Sequence, residues 1–283
     1  PSGDDRPWQK QITPHNQHRI SGGFGIEETV PNQRNGRLTR QQNPRLLRTL
    51  LNAASRPAEC EANAVRKIVR LVARTGCRTH ILHVSSGLSV DVLRRAEGLP
   101  VSAETCPHYL TLDCDHIPDN ATAVKCCPPI RDLHEQDALW AGLADGTLDG
   151  VVTDHSPASA DMKAGTLATA WGGVSSLQVG FRAVLTGAMR RGLSLADVVR
   201  WMSCNTARLV GLDDRGDITP VLRADLAIIR PYERFVVDAT ALESRNPICA
   251  CDGMTLNGVV TRTFVAGRDA LSGVREGNLI VRP

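Results

Sequence analysis

From Ser55 onward, short apolar β segments alternate with helical patterns, and this alternation constrains the fold more than any other feature. Ser55 can cap the first helix, Pro57 fits its first turn and Gly76 ends it. One apolar stripe runs along this helix, formed by Val65, Ile68, Val69 and Val72. Buried strands that alternate with helices predict a parallel sheet, and repetition of the unit favours a barrel over an open sheet.

The units that follow each combine a β segment with a helix, up to about residue 213, where this pattern changes. Their predicted β segments are residues 79–84, 101–104, 123–126 and 150–153. Their predicted helices are residues 88–96, 133–143, 175–190 and 195–204. After Gly211, the segments 224–229, 235–237 and 258–265 are typical of antiparallel strands. We therefore predict an α/β portion over residues 51–213 and a small β domain over 214–283.

The N-terminal segment, residues 1–50, has a different composition. It contains no Ala and few apolar residues, and no periodic pattern runs through it. Such a stretch buries little apolar surface, so it is expected to be disordered or to come from a wrong reading frame. We expect residues 1–50 to contribute nothing to the core.

Charge, hydropathy and cysteine content exclude several classes of protein. The formal net charge is +3, with no block of like charges, which argues against a nucleic-acid partner. No apolar run approaches the length of a membrane span, and the first residues lack the apolar centre of a secretory signal. Nine cysteines, several within apolar segments, favour reduced thiols in a cytoplasmic protein over a disulfide framework. Cys249 and Cys251 lack the spacing of a zinc knuckle.

Three predicted strands end on residues that commonly bind metal ions. His83 closes one β segment, His108 follows the next, and Asp154 ends the segment GVVT. A single histidine near a strand end is more often structural, but successive strand ends in a parallel sheet meet at one edge. Imidazole and carboxylate are usual ligands of zinc or a similar divalent ion. These three residues are therefore the candidate metal site.

The other histidines and two buried cysteines are interpreted differently. His80, His116 and His134 are expected to be structural, and His155 could hydrogen-bond near the metal without binding it. Cys106 and Cys126 are expected to act as small apolar residues at strand ends.

Several motifs resemble one family of enzymes. They are HILHVSSGLS, VSAETCPHYLTL, KCCPPIRD, VVTDHSP and AWGGVSSLQ, followed by ADLAIIRP, RNPI and GVVTRTFVAGR. Together they resemble allantoinase, in the cyclic amidohydrolase group that includes dihydroorotases and hydantoinases. The resemblance runs from about Ala53 to near the C-terminus. AWGGVSSLQ, with Trp171, is the segment that favours allantoinase over the other two.

The resemblance implies a partial (β/α)8 TIM-type barrel of the metal-dependent amidohydrolase kind with a small C-terminal β domain. It also implies two zinc ions, with His83 and His108 on one and Asp154 on the other. In this family a hydroxide attacks the ring amide of allantoin, giving allantoate in purine catabolism, and Asp154 would be the base. Cys127, Gly172 and Gly173 would bind the ring through main-chain groups, or they could simply form tight turns. The family is homo-oligomeric, with tetramers.

The family pattern also requires an H-x-H pair and a carboxylated lysine that bridges the ions. The sequence contains no H-x-H, and neither Lys10 nor Lys67 has the apolar strand context of the bridging lysine. We therefore expect the chain to be incomplete on its N-terminal side and weakly active or inactive. The alternatives are a hydantoinase or dihydroorotase type of enzyme, or a non-catalytic fragment or subunit. Trp171 could also be a core residue under its loop.

Overall fold

The first described helix follows the predicted pattern. The computed structural model of the protein describes residues 53–118, 121–273, 277, 279 and 280, so the predictions for residues 1–50 lie outside the described residues. Helix α1, Ala58–Thr75, buries Val65 and Val72. It ends at Gly76, whose backbone is left-handed (φ 66°) and whose N–H donates to the carbonyl of Val72. Pro57 occupies the N-cap position, so Ser55 lies before the cap rather than in it.

Three short strands form a parallel sheet in the order β1-β2-β3. They are β1, Thr79–Ile81, β2, Val101–Thr105, and β3, Gly150–Val151. Helix α2, Gly87–Arg94, connects β1 to β2. The predicted parallel pairing is confirmed, and each strand lies within or next to the segment predicted for it. Among the described residues the sheet does not close into a barrel.

The prediction of a strand over residues 123–126 is wrong. Thr122–Val124 forms a short 3-10 helix, and Lys125 is extended without joining the sheet. After Cys127 come two prolines, Pro128 and Pro129, and proline has no N–H to offer a neighbouring strand. The N–H of Gly173 donates to the carbonyl of Lys125 (2.8 Å), a backbone bond that joins the segment to the loop after Trp171.

The remaining helices lie between Leu133 and Leu209 in the chain. Helix α3, Leu133–Ala144, begins at Asp132, whose side chain accepts a hydrogen bond from the N–H of Glu135. The later helices are α4, Ala160–Lys163; α5, Gly180–Arg190; α6, Leu195–Val199; a π-helical turn, Arg200–Cys204; and α7, Asn205–Leu209. The predicted helix 175–190 begins later than expected, because residues 175–179 form a loop.

Two tryptophans form the centre of the main core. Trp140 on α3 and Trp201 in the π-helical turn pack edge to face, with ring centroids 6.2 Å apart. Each indole N–H is satisfied by a carbonyl, that of Leu110 for Trp140 (3.2 Å) and that of Leu143 for Trp201 (3.1 Å).

The C-terminal part is an antiparallel sheet, as predicted. Strand β4, Leu226–Val236, pairs with β5, Thr255–Val265, and β5 pairs with β6, Arg268–Asp269. The separate strands predicted at 224–229 and 235–237 are one strand, whose pairing is irregular between Arg230 and Arg234.

A second apolar cluster joins α5 to this sheet. It contains Val179, Ala183, Val237, Ala239, Cys249, Cys251 and Leu256. The N–H of Asn257 donates to the hydroxyl of Thr186 on α5 (2.8 Å), which strengthens the same contact. All described residues lie within one unit, Leu46–Pro283. No described helix has the length and apolar character needed to cross a membrane.

Candidate metal centre

The predicted ligands all follow strands of the parallel sheet, at the same edge. His83 comes two residues after β1, and His108 and Asp154 each come three residues after β2 and β3. In a parallel sheet these carboxyl ends point the same way, so the loops that follow them converge. The sequence prediction that these residues share one end of the sheet is confirmed.

A group of donor atoms forms where these loops meet. One ligand atom each from Cys106, His108 and Asp154 lies within 4.8 Å of the others. His83 stands beside this group, because its charge affects the pKa values of both His108 and Asp154. The site thus brings together the three predicted residues and adds Cys106, which the sequence analysis assigned to the core.

His108 carries the clearest sign that the site is built for a ligand. The side chain is buried, and neither ring nitrogen has a hydrogen-bond partner. Burial lowers its pKa to about 3, with a smaller contribution from His83, so the imidazole is neutral at physiological pH. A neutral imidazole is the form that binds metal ions, and unpaired buried nitrogens are otherwise costly, at about 1–3 kcal/mol each. The donor set therefore fits a divalent cation.

The backbone at two of these positions is strained. His83 (φ 41°) and Asp154 (φ 43°) are two of four described non-glycine residues with positive φ. Left-handed backbone costs a residue with a Cβ about 1–2 kcal/mol, and such residues cluster at functional sites. Both residues lie in loops that directly follow β1 and β3, so the strained backbone stands at the candidate metal centre.

The carboxylate and thiol of the site differ in their charge states. Partial burial raises the pKa of Asp154, and the neighbouring charge of Glu104 adds to this effect, while His83 opposes it. Burial also raises the pKa of Cys106 far above its usual value, so this residue is a neutral thiol. A nearby cation would reverse this preference, because thiolates are stabilised by bound metal.

Two other histidines have fixed partners. The Nδ1 atom of His155 accepts hydrogen bonds from the backbone N–H groups of Ser176 (3.1 Å) and Leu177 (3.2 Å). Its proton is therefore on Nε2. His80 bonds to Ser102 (2.7 Å) and Glu104 (2.9 Å), as expected of a structural histidine.

Glu61 on α1 anchors the loop that carries His83, a role that the sequence analysis did not find. Its Oε1 accepts hydrogen bonds from the N–H of Ser85 (3.1 Å), the N–H of Ser86 (3.0 Å) and the hydroxyl of Ser86 (2.8 Å). The Ser85 hydroxyl donates to Oε2, and Arg131 lies 3.6 Å from the same oxygen. These bonds fix the residues that follow the strained turn at His83.

We expect Glu61→Gln to destabilise the fold by about 2 kcal/mol, because hydrogen bonds to a charged acceptor contribute about 1.5–3 kcal/mol and the amide offers fewer acceptor sites. Urea unfolding would measure the change. Glu59→Gln, at an exposed position on the same helix, is the matched control and should shift stability by less than about 0.5 kcal/mol. Equal effects of the two substitutions would contradict the anchoring role.

The loop around Trp171 is held by two lysines. The ammonium of Lys163, a buried residue, donates to the carbonyls of Lys125 (3.3 Å), Trp171 (3.0 Å) and Gly173 (2.6 Å). The ammonium of Lys125 donates in turn to the carbonyls of Ala168 (3.2 Å) and Ala170 (2.5 Å). Burial lowers the pKa of Lys163. Trp171 itself is 51% exposed, so the alternative that it is a core residue is wrong.

Contacts join Gly172 to Cys127, and Gly173 to the loop that carries Asp154. A Cβ on Gly172 would stand 3.6 Å from the sulfur of Cys127. A Cβ on Gly173 would approach the Ser156 hydroxyl to 2.5 Å and its carbonyl to 2.7 Å, so only glycine fits there. The N–H and carbonyl of Gly173 already bond to Lys125 and Lys163. Gly173 therefore brings its backbone against Ser156, two residues after Asp154.

Comparison with known proteins agrees with this geometry. Residues 54–269 match the model of the amidohydrolase family. An allantoinase of Streptomyces avermitilis is 51% identical over 216 residues, which cover 76% of this chain and 48% of that protein. An allantoinase of Escherichia coli K12 is 38% identical over 227 residues, covering 79% and 50% of the two chains. The chain spans about half the length of the curated relatives it matches.

Solved structures of hydantoinases have the same fold over the described part. The D-hydantoinase of Bacillus sp. AR9 superimposes with a TM-score of 0.73 at 26% identity, over 78% of this chain and 51% of that one. The L-hydantoinase of Arthrobacter aurescens gives 0.71 at 28% identity, over 81% and 51%. With the matched motifs and the strand-end donor group, these similarities show that the chain belongs to the amidohydrolase family.

Proposed function

We propose that the protein hydrolyses the cyclic amide of allantoin to allantoate. The observation that carries this proposal is the 51% identity over 216 residues with a curated allantoinase. That similarity covers the loops that bring His83, His108 and Asp154 together. The reaction would belong to purine catabolism.

The metal in this proposal is zinc. His83, His108 and Asp154 would hold it, with Cys106 beside them. A bound zinc ion would polarise the amide carbonyl and make water a better nucleophile at neutral pH. The described donors suit one ion, so we expect the absolute turnover of this chain to be low.

Asp154 would move the proton of the reaction. A carboxylate oxygen of Asp154 would take the proton from the attacking water and deliver it to the ring nitrogen as the amide bond breaks. Asp154 lies three residues after β3 and is exposed, which supports this role because the carboxylate can meet a bound molecule.

Main-chain groups would hold the ring. In this proposal Cys127 and Gly172, which lie next to each other, would offer main-chain groups to the ring, and Gly173 would orient the turn through its own bonds to Lys125 and Lys163. A flat polar ring can pair its imide and carbonyls with such backbone groups. Hydrogen-bonding sites of this kind reject ligands that lack the matching groups more strongly than apolar pockets discriminate by size.

The proposal also includes the domain architecture. Residues 51–213 would form part of a (β/α)8 TIM-type barrel, and 214–283 a small β domain. The family match and the hydantoinase structures support this assignment. We place the protein in the cytoplasm as a homo-oligomer.

A hydantoinase type of activity is the second candidate, because the structural neighbours named above are hydantoinases. Catalytic efficiencies for allantoin, dihydroorotate and a bulky 5-substituted hydantoin would distinguish the candidates. We expect the zinc-loaded protein to prefer allantoin. A preference for dihydroorotate or the hydantoin would contradict the proposal.

Trp171 offers a sharper test of the substrate. We expect Trp171→Ala to reduce the preference for allantoin about tenfold, because the exposed indole would cover the ring and its loss removes about 1.4 kcal/mol of selective contact. Trp171→Pro should have a larger effect, since it also removes the N–H that donates to the carbonyl of Met162 (2.7 Å). The ratio of catalytic efficiencies measures both. An unchanged ratio in both variants would show that the loop does not select the substrate.

A further inference from the structure

Three main-chain carbonyls converge on one point next to the loop that carries Trp171. They belong to Lys125, Trp171 and Gly173, and the Nζ atom of Lys163 lies 3.3, 3.0 and 2.6 Å from their oxygens. A lysine has three N–H donors only when it is protonated, so Lys163 must carry its charge to satisfy all three oxygens. The residue is 7% exposed, and no carboxylate in the described part of the chain pairs with it. The carbonyl dipoles therefore balance its charge.

This arrangement has the chemistry of a cation site. Backbone carbonyl oxygens are common ligands of cations. Three such oxygens directed at one point repel one another unless a positive charge lies among them. Lys163, at the end of α4, supplies that charge on a side chain tethered to the protein. An apolar side chain at this position would leave the three oxygens facing one another without a donor from residue 163.

The same carbonyls are connected to the loop that begins at Asp154. The N–H of Gly173 donates to the carbonyl of Lys125 (2.8 Å). The next residue, Val174, accepts a hydrogen bond from the N–H of Ser156 (3.0 Å) and forms a parallel bridge with His155. A bond that fixes the carbonyl of Gly173 therefore also fixes the segment that pairs with the residues after Asp154.

We propose that Lys163 is a positioning residue, whose ammonium is the resident cation of this main-chain site and fixes the backbone of residues 171–173 for recognition of the substrate ring. The part that concerns the ring rests on the proposed function, whereas the cation site itself does not. Lys163 acts through the backbone and touches no reacting atom. Without the ammonium, the three carbonyls turn apart, and the turn that places Gly172 against Cys127 loosens.

A truncated side chain makes the site accessible to an added cation. Lys163→Ala removes three methylene groups and the ammonium, which are together the atoms of n-propylammonium. We therefore expect the alanine variant to bind n-propylammonium among the three carbonyls. Tetramethylammonium has the same charge but no N–H, so it cannot donate to them. Lys163→Met also removes the charge, but its side chain fills the space that the amine would need.

Hydrogen exchange of the whole chain, followed by mass spectrometry, tests the cation site without any measurement of activity. The amides of Trp171 and Gly173 donate to the carbonyls of Met162 and Lys125, so they report on the order of the loop. We expect both to exchange at least about tenfold faster in Lys163→Ala than in the wild type. Addition of n-propylammonium should restore slow exchange, and tetramethylammonium should not.

Two further variants make this test specific. Lys163→Met should exchange as fast as Lys163→Ala and should not respond to n-propylammonium. Lys67→Ala removes an exposed lysine from helix α1 and should exchange like the wild type. The cation site is refuted if Lys163→Ala exchanges like Lys67→Ala, if n-propylammonium has no effect on it, or if tetramethylammonium restores it equally well.

Kinetics with zinc-loaded protein test the role in ring recognition. We expect Lys163→Ala to raise KM for allantoin about tenfold with kcat changed less than about threefold, because the loop holds the ring and not the reacting atoms. n-Propylammonium should lower KM again. An unchanged KM despite faster exchange would overturn the positioning role. If the wild type does not hydrolyse allantoin, the proposed function fails, while the exchange measurements still decide whether the cation site exists.

Discussion

Asp154→Asn is expected to lower the rate of allantoin hydrolysis about 10²–10⁴-fold, the contribution typical of a positioned general base. Asparagine has nearly the same size, but it cannot accept the proton of the attacking water. Its amide is also a poorer partner for a divalent cation than a carboxylate. We therefore expect the effect on turnover to exceed the effect of any other single substitution described above.

Initial rates of allantoin loss in zinc-loaded protein would measure this change. The zinc content of the variant, determined after dialysis, separates loss of the base from loss of the metal. Asp161→Asn is the matched control, since Asp161 is exposed on the nearby helix α4. Turnover of Asp154→Asn equal to that of the control would refute the assigned role.

Trp201→Ala is expected to have the largest effect on stability. Trp201 is 1% exposed, packs against Trp140 and donates its indole N–H to the carbonyl of Leu143. Truncating a buried tryptophan costs about 3–5 kcal/mol, and small domains have about 5–15 kcal/mol of total stability. We therefore expect the variant to unfold at much lower urea concentration, or to be partly unfolded in buffer.

Far-UV circular dichroism is the appropriate measurement, because the substitution alters tryptophan fluorescence directly. Trp171→Ala is the control: the same side chain is removed at a position 51% exposed, and the loss of stability should be below about 1 kcal/mol. A similar loss of stability for both variants would mean that the burial of Trp201 does not account for its contribution to the free energy of unfolding.

Features that depend on local sequence could be predicted. The apolar stripe of α1, the left-handed Gly76 and the placement of His83, His108 and Asp154 after strands all follow from patterns within a few residues. Strands β1 and β3 end earlier than predicted and β2 ends one residue later, because pairing, and not β propensity alone, defines where a strand stops. The apolar residues of segment 123–126 favour a strand, but Pro128 and Pro129, which follow Cys127, are unsuited to a sheet.

Features that depend on distant contacts could not be predicted. Glu61 and Lys163 have ordinary helical contexts, and their partners come from segments that the fold alone brings close. The apolar context of Cys106 predicts its burial but not its position near His108 and Asp154. No spacing rule in one sequence indicates such a convergence.

The left-handed backbone at His83 and Asp154 lowers the stability of the fold at two residues that supply candidate metal ligands. Glycine at either position would relieve a conformational cost of about 1–2 kcal/mol while deleting a donor atom. A lineage selected only for a durable fold would therefore drift toward glycine there and become an inert scaffold. Histidine and aspartate are therefore expected at these positions only where a donor atom, and not stability alone, is under selection.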